Sequence, residues 1–540
     1  MPPWYLRRAD LYVYRYTLNR FTGIGTVFKG FKVVLTGDEG LVATYHGTQL
    51  GFVSALPMDV FPRFLEYLIF LTKSGKHGRM LTSQYGLCKI EASLLENGFS
   101  RDEVAIVDPR RLDEGIGSET KVVGIGVLDP LGVNYGTALL RVVLKLMGID
   151  TKFQSYMSWA TMRILENSAI KRYRRNLKIV VGGQGVWEII DSGLQNKLGI
   201  DTVVEGEGEL EAPEIFKKAI QGYELPRYVR GKPVPIDKIP IIRTPSRGIV
   251  EITRGCGRGC LFCNPTLLMF RSIPFEKIAR EVLVNVLGGE KNITLHSDDF
   301  LRYGSKGFIP DGEKVINLLT KVLKIPGVEE VSVDFATPST VVVNPKLVKT
   351  CGNILGFSED NLSIIEIGIE SASPRIIQKI AVGKPKPFSA EVWPNIVEEA
   401  VSILNEAGWW VCATIIVELP GETEEDIESN IKIVERLSKY DVFIFPLPFI
   451  PSGSLRKAKG LKTEDILPEN PRNLELIAIA IYDAIEKIRR LSGRLVAKAP
   501  PLVKQILGAL LYFAGAIGLK RLQRGLNEIS SYLVDKLRNR

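Results

Sequence analysis

Short β-branched runs alternating with amphipathic helical stretches constrain this chain more than any other feature. In the first half the runs are "FKVVLTG" (31–37), "EVAIVDP" (103–109), "KVVGIGV" (121–127), "KIVVGG" (178–183) and "DTVVEGEGE" (201–209). Each is apolar without alternation and is ended by Gly, Asp or Pro, as strands buried on both faces are. Helical patterns such as "YGLCKIEASLLENGF" (85–99) and "ATMRILENSAIKRYRRN" (160–176) lie between them. Together they predict a doubly wound, flavodoxin-like parallel sheet over residues 1–225. The proline-rich stretch 226–247 has no helical period and is expected to be a linker.

A second series follows: "GIVEITRG" (248–255), "NITLHSDD" (292–299), "EVSVDFAT" (330–337), "LSIIEIGIE" (362–370), "WWVCATIIVELP" (409–420) and "DVFIFPLPF" (441–449). Six β/α units predict a partial (β/α)6 barrel over 248–460, of the TIM-barrel kind, with its active groups at the C-terminal strand ends. Residues 461–540 turn helical. Overall the chain is α/β, long enough to need no disulfide staples.

The chain holds 70 Lys and Arg against 61 Asp and Glu, a net charge of +9. Seven basic and two acidic residues fall in 500–540, so the body is close to neutral and no nucleic-acid surface is expected. The run from Ile506 to Leu519 is too short to span a membrane. With Leu502, Ile506, Leu510, Phe513 and Ile517 at helical spacing, and Lys504, Lys520, Arg521 and Arg524 flanking, it suits either peripheral contact with an anionic membrane or closure of the barrel. The chain opens without an apolar leader, and its six cysteines are not spaced as a secreted disulfide framework is, so a reducing cytoplasm is expected.

The sharpest chemical signal is "RGCGRGCLFC", which places Cys256, Cys260 and Cys263 at the end of the first barrel strand. A zinc knuckle wants a fourth ligand, and no Cys or His lies near enough to supply it. A disulfide would pair only two of the three. Three thiolates on a glycine-rich loop can instead wrap three irons of a cubane and leave the fourth open.

This spacing, with Phe262 before the last cysteine, resembles the signature of the radical S-adenosylmethionine (SAM) superfamily, and the resemblance extends over about 200 residues. It implies a [4Fe–4S] cluster on the three cysteines. SAM would chelate the open iron, and reductive cleavage would yield a 5′-deoxyadenosyl radical. "LHSDDF" then offers Asp298 or Asp299 to the SAM amino group, and "GIESAS" offers Glu370 and Ser371 to the ribose. "TIIVELPGET" resembles the stretch whose backbone reads adenine, Ile415 to Pro420, with Glu418 where Gly is commoner; "FPLPFIPSGS" resembles the usual ending of the sixth strand.

The first domain resembles the cobalamin (B12)-binding domain that precedes many radical SAM cores of archaeal type. That implies a corrinoid over the backbone of "GGQG", at Gly182, Gly183 and Gly185. The Asp-x-His-x-x-Gly signature of a lower cobalt ligand is absent, and His46 does not fit it. His296, Cys88, Cys351 and Cys412 read as structural residues, and no second cysteine triplet of the methylthiotransferase kind is present. The resemblance implies radical chemistry at an unactivated carbon: methylation, C–C bond formation or rearrangement of a small molecule or lipid. An electron donor such as ferredoxin or flavodoxin would serve it. The alternatives are an RNA-modifying enzyme and a non-catalytic cluster- or corrinoid-binding protein.

Overall fold

The computed structural model describes residues 28–38, 44–45, 48–49, 54–59, 72–149, 154–264, 269–357, 363–456, 468–495, 515–525 and 527. Strands β1 (Val33–Gly37), β2 (Val104–Ile106), β3 (Val122–Gly126), β4 (Lys178–Gly182), β5 (Thr202–Glu205) and β6 (Tyr228–Arg230) form one parallel sheet in the order β2-β1-β3-β4-β5-β6. The order reverses between β1 and β3, the switch point where such sheets open a crevice at their C-terminal edge. Helices α1 (Tyr85–Glu96) and α5 (Glu211–Ile220) cover one face with Leu87, Leu94, Ile215 and Phe216. Helices α3 (Tyr156–Leu165) and α4 (Val186–Ser192) cover the other with Ile164, Val186 and Ile189. That double cover explains why the strands are continuously apolar.

The stretch expected to be a linker is part of the fold. Tyr228–Arg230 pairs with β5, Val203 opposite Tyr228, and the following Val234, Ile239 and Ile242 are buried. Its prolines fall outside the three strand residues, where a sheet edge tolerates them.

The second strand series forms a half-barrel from two parallel sheets, one of three strands and one of four, that adjoin at the third barrel strand. Its parallel strands are β7 (Ile249–Glu251), β10 (Asn292–His296), β11 (Glu330–Val333), β12 (Phe335–Ala336), β13 (Ser363–Glu370), β14 (Trp409–Val417) and β15 (Val442–Pro448). Asp334 interrupts the third barrel strand, so that β11 pairs with β10 while β12 pairs with β13. A short antiparallel pair, β8 (Thr253–Arg254) with β9 (Arg271–Ser272), flanks the cysteine loop. Helices α6 (Phe275–Leu287), α7 (Gly312–Leu323), α8 (Pro338–Val343), α9 (Pro345–Leu355), α10 (Pro374–Ile380), α11 (Trp393–Glu406) and α12 (Glu424–Leu437) follow the strands. Along β13, Ile365, Ile367 and Ile369 join the core under these helices, which leaves Glu366, Gly368 and Glu370 on the concave face.

The open edge, β15, is covered by two helices of different origin. Helix α2 (Tyr135–Leu146) belongs by sequence to the first domain, yet its Leu139, Val142, Val143 and Leu146 lie in the barrel core. Helix α13 (Pro471–Leu495) packs Ala484 and Leu491 on Trp410 and Phe443, and Lys487 Nζ donates to the Val442 carbonyl at 3.0 Å.

Leu502, Lys504, Ile506, Leu510 and Phe513 lie outside the described residues. Residues 515–525 are helical, with Leu519 and Leu522 buried and Ile517, Lys520, Arg521 and Arg524 exposed. Gly518 of this stretch lies beside Met147 and Ile485, so its inner side rests on protein. Among the described residues no helix is long and apolar enough to cross a membrane.

Candidate active site

The cysteine loop follows β8 and depends on three glycines. Gly255, Gly257 and Gly259 all have φ between 67° and 76°, a region closed to most residues with a Cβ, so the loop can coil tightly between the thiols. Cys260 is buried; Cys256 and Cys263 are half-buried. Burial pushes the Cys256 thiol up and the Cys260 thiol to about 11, against the pull of Arg258 on the first and of Lys384 on the second. Metal binding would take these groups as thiolates and release their protons. Among the described residues no three Cys, His, Asp or Glu side chains close on a single ion. A cubane gives each thiolate its own iron, so it does not ask the three thiols to meet on one ion.

The loop is held by its surroundings at close range. Arg302 Nη1 donates to the Cys256 carbonyl at 2.5 Å, and the Leu261 amide donates to the Ile380 carbonyl at 2.8 Å. Arg258 is buried and donates to the carbonyls of Gly383, Lys384 and Lys386 at 2.9, 3.0 and 3.2 Å. At the sixth strand's end, a Cβ on Gly453 would stand 2.6 Å from the Leu261 carbonyl oxygen and 2.7 Å from the Cys263 nitrogen. This "PSGS" glycine therefore serves the loop's backbone.

The acidic pair after β10 separates into two roles. Asp299 is 1% exposed; it faces Arg258 Nη2 at 3.3 Å and accepts from Thr340 Oγ1 at 3.0 and 3.1 Å. Its carboxylate is spent on bracing the cysteine loop, so of the two predicted residues Asp298 is the one open to a ligand. Burial raises the Asp298 carboxyl to about 6; His296 opposes the shift, and Asp334, Glu251 and Asp299 add to it. His296 hydrogen-bonds Asp334 through Nδ1. Burial works against its imidazolium, but Asp334 outweighs it and raises the ring to about 9.

Glu370 ends β13 with φ of 62° and forms a buried ion pair with Lys384. Gly368 makes room for that pair, since a Cβ there would collide with both partners. Ser371 does not share this exposure to the site. It is fully buried, its hydroxyl 3.2 Å from Asn430 Oδ1 and accepting from the Ser373 amide at 3.1 Å, while its carbonyl takes a bond from Trp393 Nε1 at 3.0 Å. Ser371, predicted to contact the ribose, is thus engaged within a buried turn. On the next strand Ile415 is buried and pairs with Glu370 and Pro446, and Pro420 is exposed. Glu418 has φ of 64°, the conformation a glycine would adopt, and its carboxylate accepts from the Glu469 amide ahead of α13. Phe262 is buried beneath the loop.

In the first domain, Gly183 and Gly185 are dictated by packing. A Cβ on either would strike the backbone of Val127 or Leu128. What they leave is a bare turn, with Gly183 and Gln184 exposed and no bulky side chain over Gly182, that a flat ring or nucleotide tail could lie against. The "GEGE" carboxylates do not face this crevice. Glu207 and Glu209 reach into the barrel and pair with Arg254. His46 lies outside the described residues. Cys88 and Cys351 are fully buried, whereas Cys412 is half-buried on the concave face in register with Glu366. Glu366 is pushed to about 7 by burial and by Glu370 and Asp334. Lys384 and Tyr135 escaped the sequence reading. The first stands in an ordinary Gly-Lys-Pro-Lys run, and the second lies more than a hundred residues from the cysteines it approaches.

Residues 250–434 match the family model of the Radical SAM superfamily. Those residues form a radical SAM domain. That family uses a [4Fe–4S] cluster and SAM. An uncharacterized methyltransferase of Pyrococcus horikoshii is 25% identical over 52% of this chain and 62% of its own length, so the chain spans about six tenths of that relative. A tRNA-2-methylthio-N(6)-dimethylallyladenosine synthase of Bdellovibrio bacteriovorus is 25% identical over 60% of this chain and 69% of that protein. Among solved structures, the radical SAM methyltransferase TsrM of Kitasatospora setae, with tryptophan substrate and a SAM analog bound, shares the fold. The TM-score is 0.50 at 15% identity, over 77% of this chain and 73% of that one. TsrM has also been solved with cobalamin and a [4Fe–4S] cluster bound.

Proposed function

We propose that this radical SAM enzyme works with a corrinoid held by its N-terminal sheet, to methylate or otherwise remodel an unactivated carbon of a small molecule or lipid. One observation carries the reading: the C-terminal edges of the two parallel sheets meet. Arg456, beyond β15, binds Asp191 of α4 with Nη2 2.6 Å from Oδ1 and also pairs with Glu205 at the end of β5. Trp187, just after the Gly182–Gly185 turn, packs with Ile450 of the barrel rim. A group lying on that turn would therefore look across at the cysteine loop.

A bound corrinoid supplies a methyl carrier, and the cluster with SAM supplies the radical. The chain's own residues do the rest. Asp298 accepts the SAM ammonium through a charge-assisted hydrogen bond, Glu370 and Lys384 face the nucleoside side, and α2 and α13 keep water from the concave face.

Anaerobic purification followed by absorption spectroscopy and a SAM-cleavage assay tests this. Corrinoid bands together with deoxyadenosine or methyl transfer to cobalt are expected; failure to bind any corrinoid form would leave only SAM cleavage. A second reading, modification of an RNA base, is favoured by the relatives named for tRNA. Salt-dependent binding of bulk tRNA to the purified enzyme would select it.

A further inference from the structure

The cysteine loop is gripped at both ends by the N-terminal domain. Ahead of Cys256, Arg254 places Nη1 2.7 Å from Glu207 Oε2 and Nη2 2.8 Å from Glu209 Oε1; its Nε and Nη2 also donate to Glu251 at 2.9 Å. Arg271, opposite Arg254 in the β8–β9 pair, closes on Glu207 as well and donates to the Val234 carbonyl at 2.5 Å. Every side chain of the network is at most 11% exposed. Burial alone would raise the Glu207 carboxyl, yet the bonds from Arg271, Val234 and Arg254 hold it below its ordinary value.

At the other end, Tyr135 at the start of α2 hydrogen-bonds Ser452, whose hydroxyl donates to the Phe262 carbonyl, one residue before Cys263. Burial pushes the phenol to about 12; the Ser452 bond pulls against that, and the Cys263 and Glu370 charges add to it, so Tyr135 stays protonated at the rim of the site.

A loop with three left-handed glycines has little conformational preference of its own. Its ligating shape must be imposed from outside, and two of the outside anchors come from the other domain. We propose that Glu207, Glu209 and Tyr135 are positioning residues for the cluster, so that the three thiols are held in their ligating arrangement by these particular contacts from the N-terminal domain. This rests on the reading of the triplet as a cluster site. Domain glue alone would behave differently, because its loss would lower stability and leave the cluster's environment unchanged.

The test uses the full chain, reconstituted anaerobically with iron and sulfide. Glu207→Gln with Glu209→Gln, and separately Tyr135→Phe, are compared with Arg456→Gln, which cuts an ion pair of the same interface that does not touch the loop. The double variant is expected to lose iron to a chelator about tenfold faster than the parent, as second-shell changes at metal sites typically cause. Its reduced cluster should show shifted electron paramagnetic resonance. Tyr135→Phe, which removes one hydroxyl, should shift the same signal while keeping its iron. Arg456→Gln should melt earlier with the parental signal. Parental iron retention and an unchanged spectrum in both the double variant and Tyr135→Phe would overturn the inference. If the double variant does not fold, the spectrum of Tyr135→Phe decides alone. Failure of the parent to take up a cluster would instead sink the underlying reading.

Discussion

Both parallel sheets end in acidic residues at their C-terminal edges, and the two edges use them in opposite ways. On the barrel side, the carboxylates of Asp298, after β10, and Glu366, on the concave face of β13, have no hydrogen-bond or ion-pair partner among the described residues, and burial raises both, to about 6 and about 7. At the edge of the first sheet the carboxylates are already engaged. Glu205, Glu207 and Glu209 hold Arg456, Arg254 and Arg271, and Asp129 accepts from the Val133 and Asn134 amides at 2.7 and 3.0 Å. Uncompensated charge in a low-dielectric recess is costly to keep and is where ligand chemistry is usually found. The barrel edge is thus prepared for a charged ligand, while the first sheet offers backbone and apolar surface and spends its charges on docking.

The largest effects should come from the barrel. Replacing Cys256, Cys260 or Cys263 by Ala should abolish the cluster, taking iron from about four per chain to near zero and ending SAM cleavage. Cys351→Ala and Cys412→Ala should keep a full complement. Iron analysis after reconstitution checks this, and a triplet variant with a full cluster would break the assignment of that edge.

The neighbouring carboxylates divide the two behaviours within one strand end. Asp299→Asn weakens the brace on Arg258 and should cost about 3 kcal/mol of stability, the loss expected when a buried pair is broken. Asp298→Asn should leave the fold intact and weaken SAM binding about tenfold or more, the worth of one charge-assisted hydrogen bond. Calorimetry on the two variants separates them; equal SAM affinity in Asp298→Asn would move the ammonium contact to Glu370. Because the Asp298 carboxyl sits at about 6, SAM affinity should also fall as pH drops through that value. The opposite trend would mean that the proton-bearing form binds.

Much of this was legible in the sequence, and what was missed shares a physical cause. Strand runs and the cysteine spacing are local patterns, so the parallel sheets, the half-barrel and the triplet were all written in residues near one another. The β6 strand was hidden because three residues between prolines carry too little periodicity to register, although the edge of β5 needs only that many to pair. Asp298 and Asp299 look equivalent in "LHSDDF"; only Arg258 and Thr340, brought in from other elements, make one structural and leave the other available. Likewise "GEGE" and Tyr135 gain their meaning from Arg254 and Ser452, contacts between domains that no window along the chain contains.

The smallest effect belongs to the first sheet and tests whether its edge is as compensated as its pairs suggest. Glu188 is fully buried on α4, its Oε2 accepting from the Leu131 amide at 2.8 Å. Burial first, then the neighbouring Asp129 charge, push its carboxyl well above the ordinary range, which favours the protonated form in the fold. In the unfolded chain the same group ionises at about 4.3. Between the unfolded and the folded value folding takes up a proton, so this residue's contribution is most favourable below the unfolded value and is lost as pH rises toward the folded one. Glu188→Gln keeps an acceptor for the Leu131 amide and removes the titration. Denaturation midpoints for parent and variant should agree at pH 4 and draw apart as pH rises, with the glutamine variant the more stable at pH 8. A gap that stays flat across this range would mean that Glu188 is ionised in the fold. The first sheet would then keep an uncompensated charge of its own, as the barrel edge does.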